Sequence, residues 1–388
     1  MAGHIRRRGK NSWELKFDAG LGLNGKRKTK YHSFKGTKRD AEIELAKLIS
    51  AAARGDHIDP SKVTVAEFLD RWEAEWATGH LGGKSFERYS ELLRSHVRPH
   101  LGATRLQRLK PTDLSQLYAA LLLEGRQSRG ARARSGLSPQ TVAYVHRVLH
   151  RALGHATVWG LLLSNPAASV EPPKSQRSEL EILTEAEVKT VLQKLRGRSI
   201  YLLVTLGLST GMRRGEMLAL RWKDIDLEAG KIRVEHSLEQ TRAGLRFKSP
   251  KTRHGLRSLS ISRSVVAELK SHKKKQSEQR LALGLGKDTG TGLVFRRPDG
   301  EPMLPNSVST EWRRLVVALG LPKVSLHAWR HTHASQLIAS GMDVLKISRR
   351  LGHGSPSITL DVYGHLFDTG DDRAAAVFEQ AYGSTLTE

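Results

Sequence analysis

Two arginines, two histidines, a lysine and a tyrosine in the second half of this 388-residue chain are of types that could break and rejoin a phosphodiester. They are Arg213 in Thr210-Gly211-Met212-Arg213-Arg214-Gly215-Glu216, Lys251 in Pro250-Lys251-Thr252, His327 and Arg330 in Leu326-His327-Ala328-Trp329-Arg330-His331, His353 in Leu351-Gly352-His353, and Tyr363 in Asp361-Val362-Tyr363-Gly364. Attack on a phosphodiester gathers negative charge on its non-bridging oxygens, and a planar, permanently charged guanidinium meets that charge with two parallel hydrogen bonds. Arg213 and Arg330 suit the task, each at a turn that feeds a helix, where backbone N–H groups also face an anion. Tyr363 offers a nucleophile, but a phenol with a pKa of about 10 needs cationic neighbours if it is to lose its proton as it attacks. His327 and His353 can hydrogen-bond phosphate oxygens and move protons near neutral pH. Glu216 is spaced to hold Arg213 or Arg214 across one helical turn. His327 and Arg330 stand one turn apart on a helix that Ser325 is placed to cap, so their side chains share a face. His331 and His333 read as ordinary satisfied histidines.

The order and spacing of the six resemble the Arg-Lys-His-Arg-His-Tyr constellation of the tyrosine recombinases, the phage integrase family, in the three-domain form found in temperate phages and conjugative elements. The likeness is carried by residues 180 to 370, less by 64 to 165, and least before 60. It implies that Arg213, Lys251, His327, Arg330, His353 and Tyr363 are the catalytic set. It also implies that Tyr363 forms a 3′-phosphotyrosyl link and releases a 5′-hydroxyl, conserving the bond energy so that no ATP is needed. His353, ten residues before Tyr363, has the family's spacing. Lys251 falls where the family places a mobile hairpin lysine that protonates the leaving 5′-oxygen, with Lys248 as its competitor. Trp329 is a departure, since the family more often has an aliphatic residue there. No cofactor or metal is expected: His327, His331 and His333 lack a matched carboxylate set, and the arginine pair makes a metal redundant.

The elements that must position these residues fall into three segments, expected as domains over 1–60, 61–170 and 171–388. Residues 1 to 39 hold twelve Lys and Arg against Glu14 and Asp18, a net charge of +10. Within this block Ser12 to Phe17 alternates, Leu23-Asn24-Gly25-Lys26 signals a turn, Lys30 to Phe34 is extended, and a helix starts near Thr37 and runs to about Arg54. A small β-sheet packed on a helix follows, rather than a solvated tail. Thr64-Val65-Ala66-Glu67 is a capping box that opens a helical domain. Phe86 to Leu93 is a second helix, Thr112-Asp113 caps Leu114 to Leu123, and Ser138-Pro139 caps the helix of Val142, Val145, Leu149 and Leu153. Gly125 to Gly136 is a basic loop suited to phosphate contact. Ser164 to Ser175, with three prolines, cannot be helix and is expected to link the domains. The third segment opens with the Thr184 capping box and an apolar helix, Tyr201 to Leu208, that leads into the Arg213 turn. Three short strands are expected at Lys231–Val234, Leu245–Lys248 and Leu256–Ile261. The expected fold class is therefore mainly α with small β elements; by the resemblance these form an N-terminal β-sheet-plus-helix arm-binding module, a helical core-binding (SAM-like) domain and a mixed α/β tyrosine recombinase catalytic domain.

Composition agrees with a polyanionic partner. The formal net charge is +25, which points to nucleic acid, while 38% hydrophobic residues exceed what a disordered basic tail carries. There is no cysteine, hence no disulfide or thiolate chemistry. Neither a signal peptide nor a run of about 18 apolar residues occurs, so a cytoplasmic protein with no membrane partner is expected. The resemblance implies double-stranded DNA attachment sites as substrate and a homotetramer on paired sites, with an excision factor and a DNA-bending protein as accessory partners the sequence leaves open. It also leaves open whether the last helix, with Val377, Phe378, Ala381 and Tyr382 on one stripe, packs on its own domain or on a neighbouring protomer. Rival readings are a type IB topoisomerase and a catalytically silent DNA-binding architectural protein.

Overall fold

Alternation organises the amino-terminal end, because successive strand residues point to opposite faces. In the computed structural model, which describes residues 3–21, 27–53, 58, 60–125, 136–174, 180–250, 253–284, 292–367 and 371–386, Leu15 and Phe17 turn inward from a three-stranded antiparallel sheet. Its order is β1 (Gly3–Gly9), β2 (Ser12–Leu21), β3 (Arg27–Lys35). The helix Lys38–Ala53 covers that face with Ala41 and Leu45. β1 was not expected: Arg6-Arg7-Arg8 hides the alternation, and the strand is an exposed edge on which charge discourages further pairing. It is held by the ladder to β2, with Arg7 opposite Trp13 and Arg8 paired to Glu14 at 2.6 Å. The turn expected over Leu23 to Lys26 lies outside the described residues.

Contacts divide the chain into two units, Met1–Arg177 and Ser178–Glu388. The first contains, besides the sheet, a helical core of its own. The Thr64 capping box closes as expected: Glu67 N–H donates to Thr64 Oγ1 (3.2 Å) and Thr64 N–H to the Glu67 carboxylate (2.8 Å). From it Val65–Trp72 buries Val65, Phe68, Leu69 and Trp72, against Val145, Leu149 and Leu153 of the helix Pro139–Val158. The helix Pro111–Glu124 begins earlier than expected. Lys110 is its N-cap residue, and Asp113 lies in the first turn accepting from Lys110 N–H at 2.9 Å. The expected linker is also partly structured. Pro166–Ser169 forms a 3-10 turn, with Asn165 accepting from Ala167 N–H at 2.9 Å and with Pro166 and Ala167 buried. Proline fits there because the first N–H of a helical turn has no internal partner to lose.

In the second unit, Thr184 caps Glu185–Leu195, and the apolar helix Tyr201–Thr210 runs through the middle of the core. β4 (Ile225–Asp226), β5 (Lys231–Val234) and β8 (Arg257–Ser260) form one sheet, β6 (Ser237–Thr241) and β7 (Gly244–Lys248) a separate hairpin. β4 and β6 were not expected, being too short or too polar to stand out; β6 buries only Leu238. Helices Arg263–Ala282, Pro305–Ala318, Ala328–Ala339, Val344–Leu351 and Pro356–Tyr363 complete this unit's packing. Trp329 fills the core edge-on to Trp312, with ring centroids 4.9 Å apart. Gly207 makes room for it, since a Cβ there would lie 2.6 Å from the indole. The helix Asp371–Leu386 leaves Val377, Phe378 and Tyr382 more than half exposed. No helix among the described residues is long and apolar enough to cross a membrane.

Candidate active site

Gly211 ends the Tyr201–Thr210 helix in the left-handed region (φ 65°), and a Cβ there would meet Leu351 and His333 within 3 Å. Glycine is therefore required by both backbone and packing. The chain then turns so that Arg213 precedes the short helix Arg214–Leu218. Glu216, only 4% exposed, accepts from Arg213 N–H (2.9 Å) and from the Arg213 guanidinium (2.8 Å). Of the two arginines the sequence offered to Glu216, it holds Arg213. Arg214 turns away to the Pro305 carbonyl at 3.0 Å and to Ser309.

Glu216 has a second cationic partner that the sequence reading passed over. Arg257 on β8 donates to it at 2.8 Å and to the Arg350 carbonyl at 2.7 Å. A signal existed: Arg257 shares a strand face with the buried Leu259, and an inward-facing arginine needs an anion. Burial alone would raise the Glu216 carboxyl, but the hydrogen bonds and charge of Arg257, then the charge of Arg213, hold it below the usual range. One carboxylate thus stands among three guanidiniums, leaving a surplus of positive charge.

The third guanidinium is Arg330, 3% exposed on the helix Ala328–Ala339. It donates to the Gly211 carbonyl (2.8 Å) and the Leu351 carbonyl (2.7 Å), which fixes its plane while each terminal nitrogen keeps a second N–H. Burial, then the charge of Arg213, presses it down to about 9, still cationic at neutral pH. His327 is the residue at the N-cap of this helix. Ser325 does not cap it; its backbone N–H donates to Glu181 and its carbonyl accepts from Ala328 N–H at 3.0 Å.

His353 follows the helix Val344–Leu351, which stops at left-handed Gly352 (φ 68°). Its Nδ1 is 2.8 Å from Thr359 Oγ1. Tyr363 ends the next helix, 1% exposed, and burial raises its phenol above the ordinary value despite Arg330 nearby. Arg213, His327, Arg330, His353 and Tyr363, five of the six sequence candidates, line one cleft of about 250 Å³. Lys251, the sixth, lies outside the described residues. Its competitor Lys248 is paired with Glu239 across the β6–β7 hairpin at 2.5 Å and is not among the residues lining the cleft.

Of the two histidines read as bystanders, His333 is one: its Nδ1 meets the Leu208 carbonyl and its Nε2 accepts from Arg350. His331 is satisfied too, but by the tyrosine hydroxyl, 2.8 Å from its Nδ1, and it lines the same cleft.

Burial, then the charges around the site, lowers His327 and His353 to about 4, and burial with Arg350 does the same to His333. All three are neutral in the folded protein at pH 7. Their unfolded value is about 6.5, so the stability they contribute is whole above that pH and is lost as pH falls towards 4. Thermal melts followed by circular dichroism should show a melting temperature that drops steadily from pH 6.5 to 4. A flat profile across that window would mean that these rings are not held neutral.

A model of the phage integrase family matches residues 181–369, and a model of the phage integrase N-terminal SAM-like domain matches residues 64–122. A tyrosine recombinase XerC-like protein from Caldanaerobacter subterraneus subsp. tengcongensis is 26% identical over 378 residues, 92% of this chain and 93% of the relative. Among solved structures, the Tn1549 transposon integrase in complex with transposon right end DNA superposes with a TM-score of 0.68 at 22% identity, covering 82% of this chain and 99% of that one. A lambda integrase tetramer bound to a Holliday junction superposes at 0.56 and 19% identity, covering 91% and 96%. At these identities the structural likeness is one of fold: mainly helical, with small sheets.

Proposed function

The chain belongs to the phage integrase family of tyrosine recombinases, and from that premise we propose that it is the integrase of a mobile element, cutting and rejoining double-stranded DNA at attachment sites. The observation that carries this reading is the cleft that Arg213, His327, Arg330 and His353 line together with Tyr363. A scissile phosphate fits where the positive charge is in surplus. Arg213, held by Glu216, and Arg330, held by two carbonyls, act as fixed cations that need no reorganisation when charge develops. His327 and His353, neutral before substrate arrives, donate N–H to phosphate oxygens. The Tyr363 oxygen attacks phosphorus, a 3′-phosphotyrosyl bond forms, the bond to the 5′-oxygen breaks, and that oxygen takes a proton from Lys251. Rejoining is the reverse.

The same reading assigns residues 1–60 to outlying arm sequences, 61–170 to the core site and 171–388 to catalysis. Four protomers exchange strands on two paired sites. The stripe of Val377, Phe378 and Tyr382, more than half exposed with no cover among the described residues, docks on a neighbouring protomer.

A nicked half-site duplex tests the function. The protein should leave a covalent adduct that survives denaturant, at a rate indifferent to EDTA, and should recombine only when two sites are present. Relaxation of a single duplex without a partner site would make it a topoisomerase, and absence of any adduct a silent binder. Lys251→Ala should slow cleavage of ordinary DNA yet cleave at near-native rate when sulfur replaces the bridging 5′-oxygen, a leaving group that needs no proton; rescue of Lys248→Ala instead would transfer the role. Deleting residues 1–60 should preserve cleavage of core half-sites and flatten the dependence of log K on log salt by roughly 0.9 per lost phosphate contact. An unchanged slope would remove DNA from that module's partners.

A further inference from the structure

We propose that His331 is a further catalytic residue: it takes the proton of the Tyr363 hydroxyl as the phenol attacks and returns it on rejoining. This rests on the reading of Tyr363 as nucleophile, and assigns the base to a ring outside the set of six. The Tyr363 hydroxyl and His331 Nδ1 are 2.8 Å apart, within the range for direct transfer. The rings meet edge to face with centroids 5.6 Å apart. Among the described residues no other hydrogen bond to the hydroxyl is present, and we take the tautomer in which the phenolic O–H donates to Nδ1. That places the neutral ring's own proton on Nε2 and leaves Nδ1 bare, the form a base requires.

The two histidines of the expected set are placed differently. His353 directs Nδ1 to Thr359, and His327 stacks edge-on against His331 at 4.7 Å without bonding the tyrosine. They remain free to serve phosphate oxygens. The groups around His331 come from several elements. On its own helix stand Arg330 and His327; Glu181 precedes the helix Glu185–Leu195; Tyr363 ends the helix Pro356–Tyr363; Arg213 and His353 line the same cleft. Burial and the charge of Arg330 keep the ring neutral before attack, while Glu181 favours the protonated ring that results. Each proton is accounted for. The phenol's moves to Nδ1, the oxygen–phosphorus bond forms, and the departing 5′-oxygen is protonated from the opposite side by a separate acid.

The sequence offers this residue in plain sight, since His331 lies one turn after His327 on the same helix face. What it lacks is the information that the Pro356–Tyr363 helix delivers the tyrosine there.

The experiment compares His331→Asn, whose amide oxygen can replace Nδ1 as acceptor but cannot take a proton, with His331→Ala on a nicked half-site, using native protein and Tyr363→Phe as controls. Gel shift and thermal melts on the same samples establish that each variant folds and binds. Both His331 variants should form adduct at least about 100-fold more slowly at pH 7. Their rates should rise about tenfold per pH unit up to pH 9 as hydroxide replaces the base, whereas the native rate levels off, and added imidazole should restore the Ala variant. Near-native cleavage by His331→Asn would reduce His331 to a positioning residue and overturn the proposal, as would a native pH profile in either variant. Should the Ala variant fail to fold, the Asn variant and its pH profile decide alone. Failure of the native protein to form any adduct would overturn the reading of Tyr363 itself, an outcome distinct from both.

Discussion

Tyr363→Phe should leave no covalent adduct on a nicked half-site under conditions where the native protein converts most of it. The substitution removes a single oxygen. The ring stays among Ile347, Leu351, Ala334 and Ile338, a core cluster of which it is part, so no cavity opens. One hydrogen bond to His331 is lost, which costs about 1 kcal/mol on the usual scale, and site binding should stay within about twofold. Neutral tyrosine is a weak nucleophile and, buried as it is, holds its proton more firmly than a free phenol; the surrounding cations act only through this oxygen. Adduct formation by the variant, seen as a slow-migrating band on a denaturing gel, would mean that another residue attacks and that the cleft serves something else.

Arg330→Ala carries the second-largest effect, and it falls on both rate and stability. Removing one preorganised donor to a developing oxyanion costs about 100- to 1,000-fold in rate. Arg330 also satisfies two buried carbonyls, Gly211 and Leu351, and each orphaned carbonyl costs about 1–3 kcal/mol. Cleavage should fall by at least two orders of magnitude, with a clear drop in melting temperature. Arg213→Ala separates the two effects. Its side chain is 42% exposed, and Glu216 would keep Arg257 as a partner, so cleavage should fall comparably while stability changes far less. If Arg330→Ala melts like native protein and cleaves within tenfold of it, the guanidinium is not the clamp described.

The contrast between the two arginines reflects how the site is wired. Glu216 joins Arg213 on one side to Arg257 on the other, and Arg213 also donates to the Gly352 carbonyl at 3.3 Å. The loop that presents His353 is therefore tied to the loop that presents Arg213, and Arg330 bridges the same two segments from below.

Much of this protein is written locally. Capping boxes at Thr64 and Thr184, the Ser138-Pro139 start and the glycine stop at Gly211 each depend on atoms within four residues of one another, so a linear reading finds them. Arg213, His327, Arg330, His353 and Tyr363 were legible in another way, through the resemblance of their order and spacing to a family's constellation, and the fold places all five on one cleft. Local signals fail where a partner lies far along the chain. β1 exists because β2 offers a ladder to a strand whose own arginines conceal it. Arg257 reaches Glu216 across 41 positions, Arg330 reaches Gly211 across 119, and His331 reaches Tyr363 across 32. Periodicity reports which face of an element is apolar, but not which polar atom will meet which. The types of group in the cleft were set by the sequence, whereas the pairings were decided by packing: Glu216 with Arg213 rather than Arg214, and the tyrosine hydroxyl with His331 rather than His327 or His353. A buried polar atom must find a partner, and only the folded core determines which one is within 3 Å.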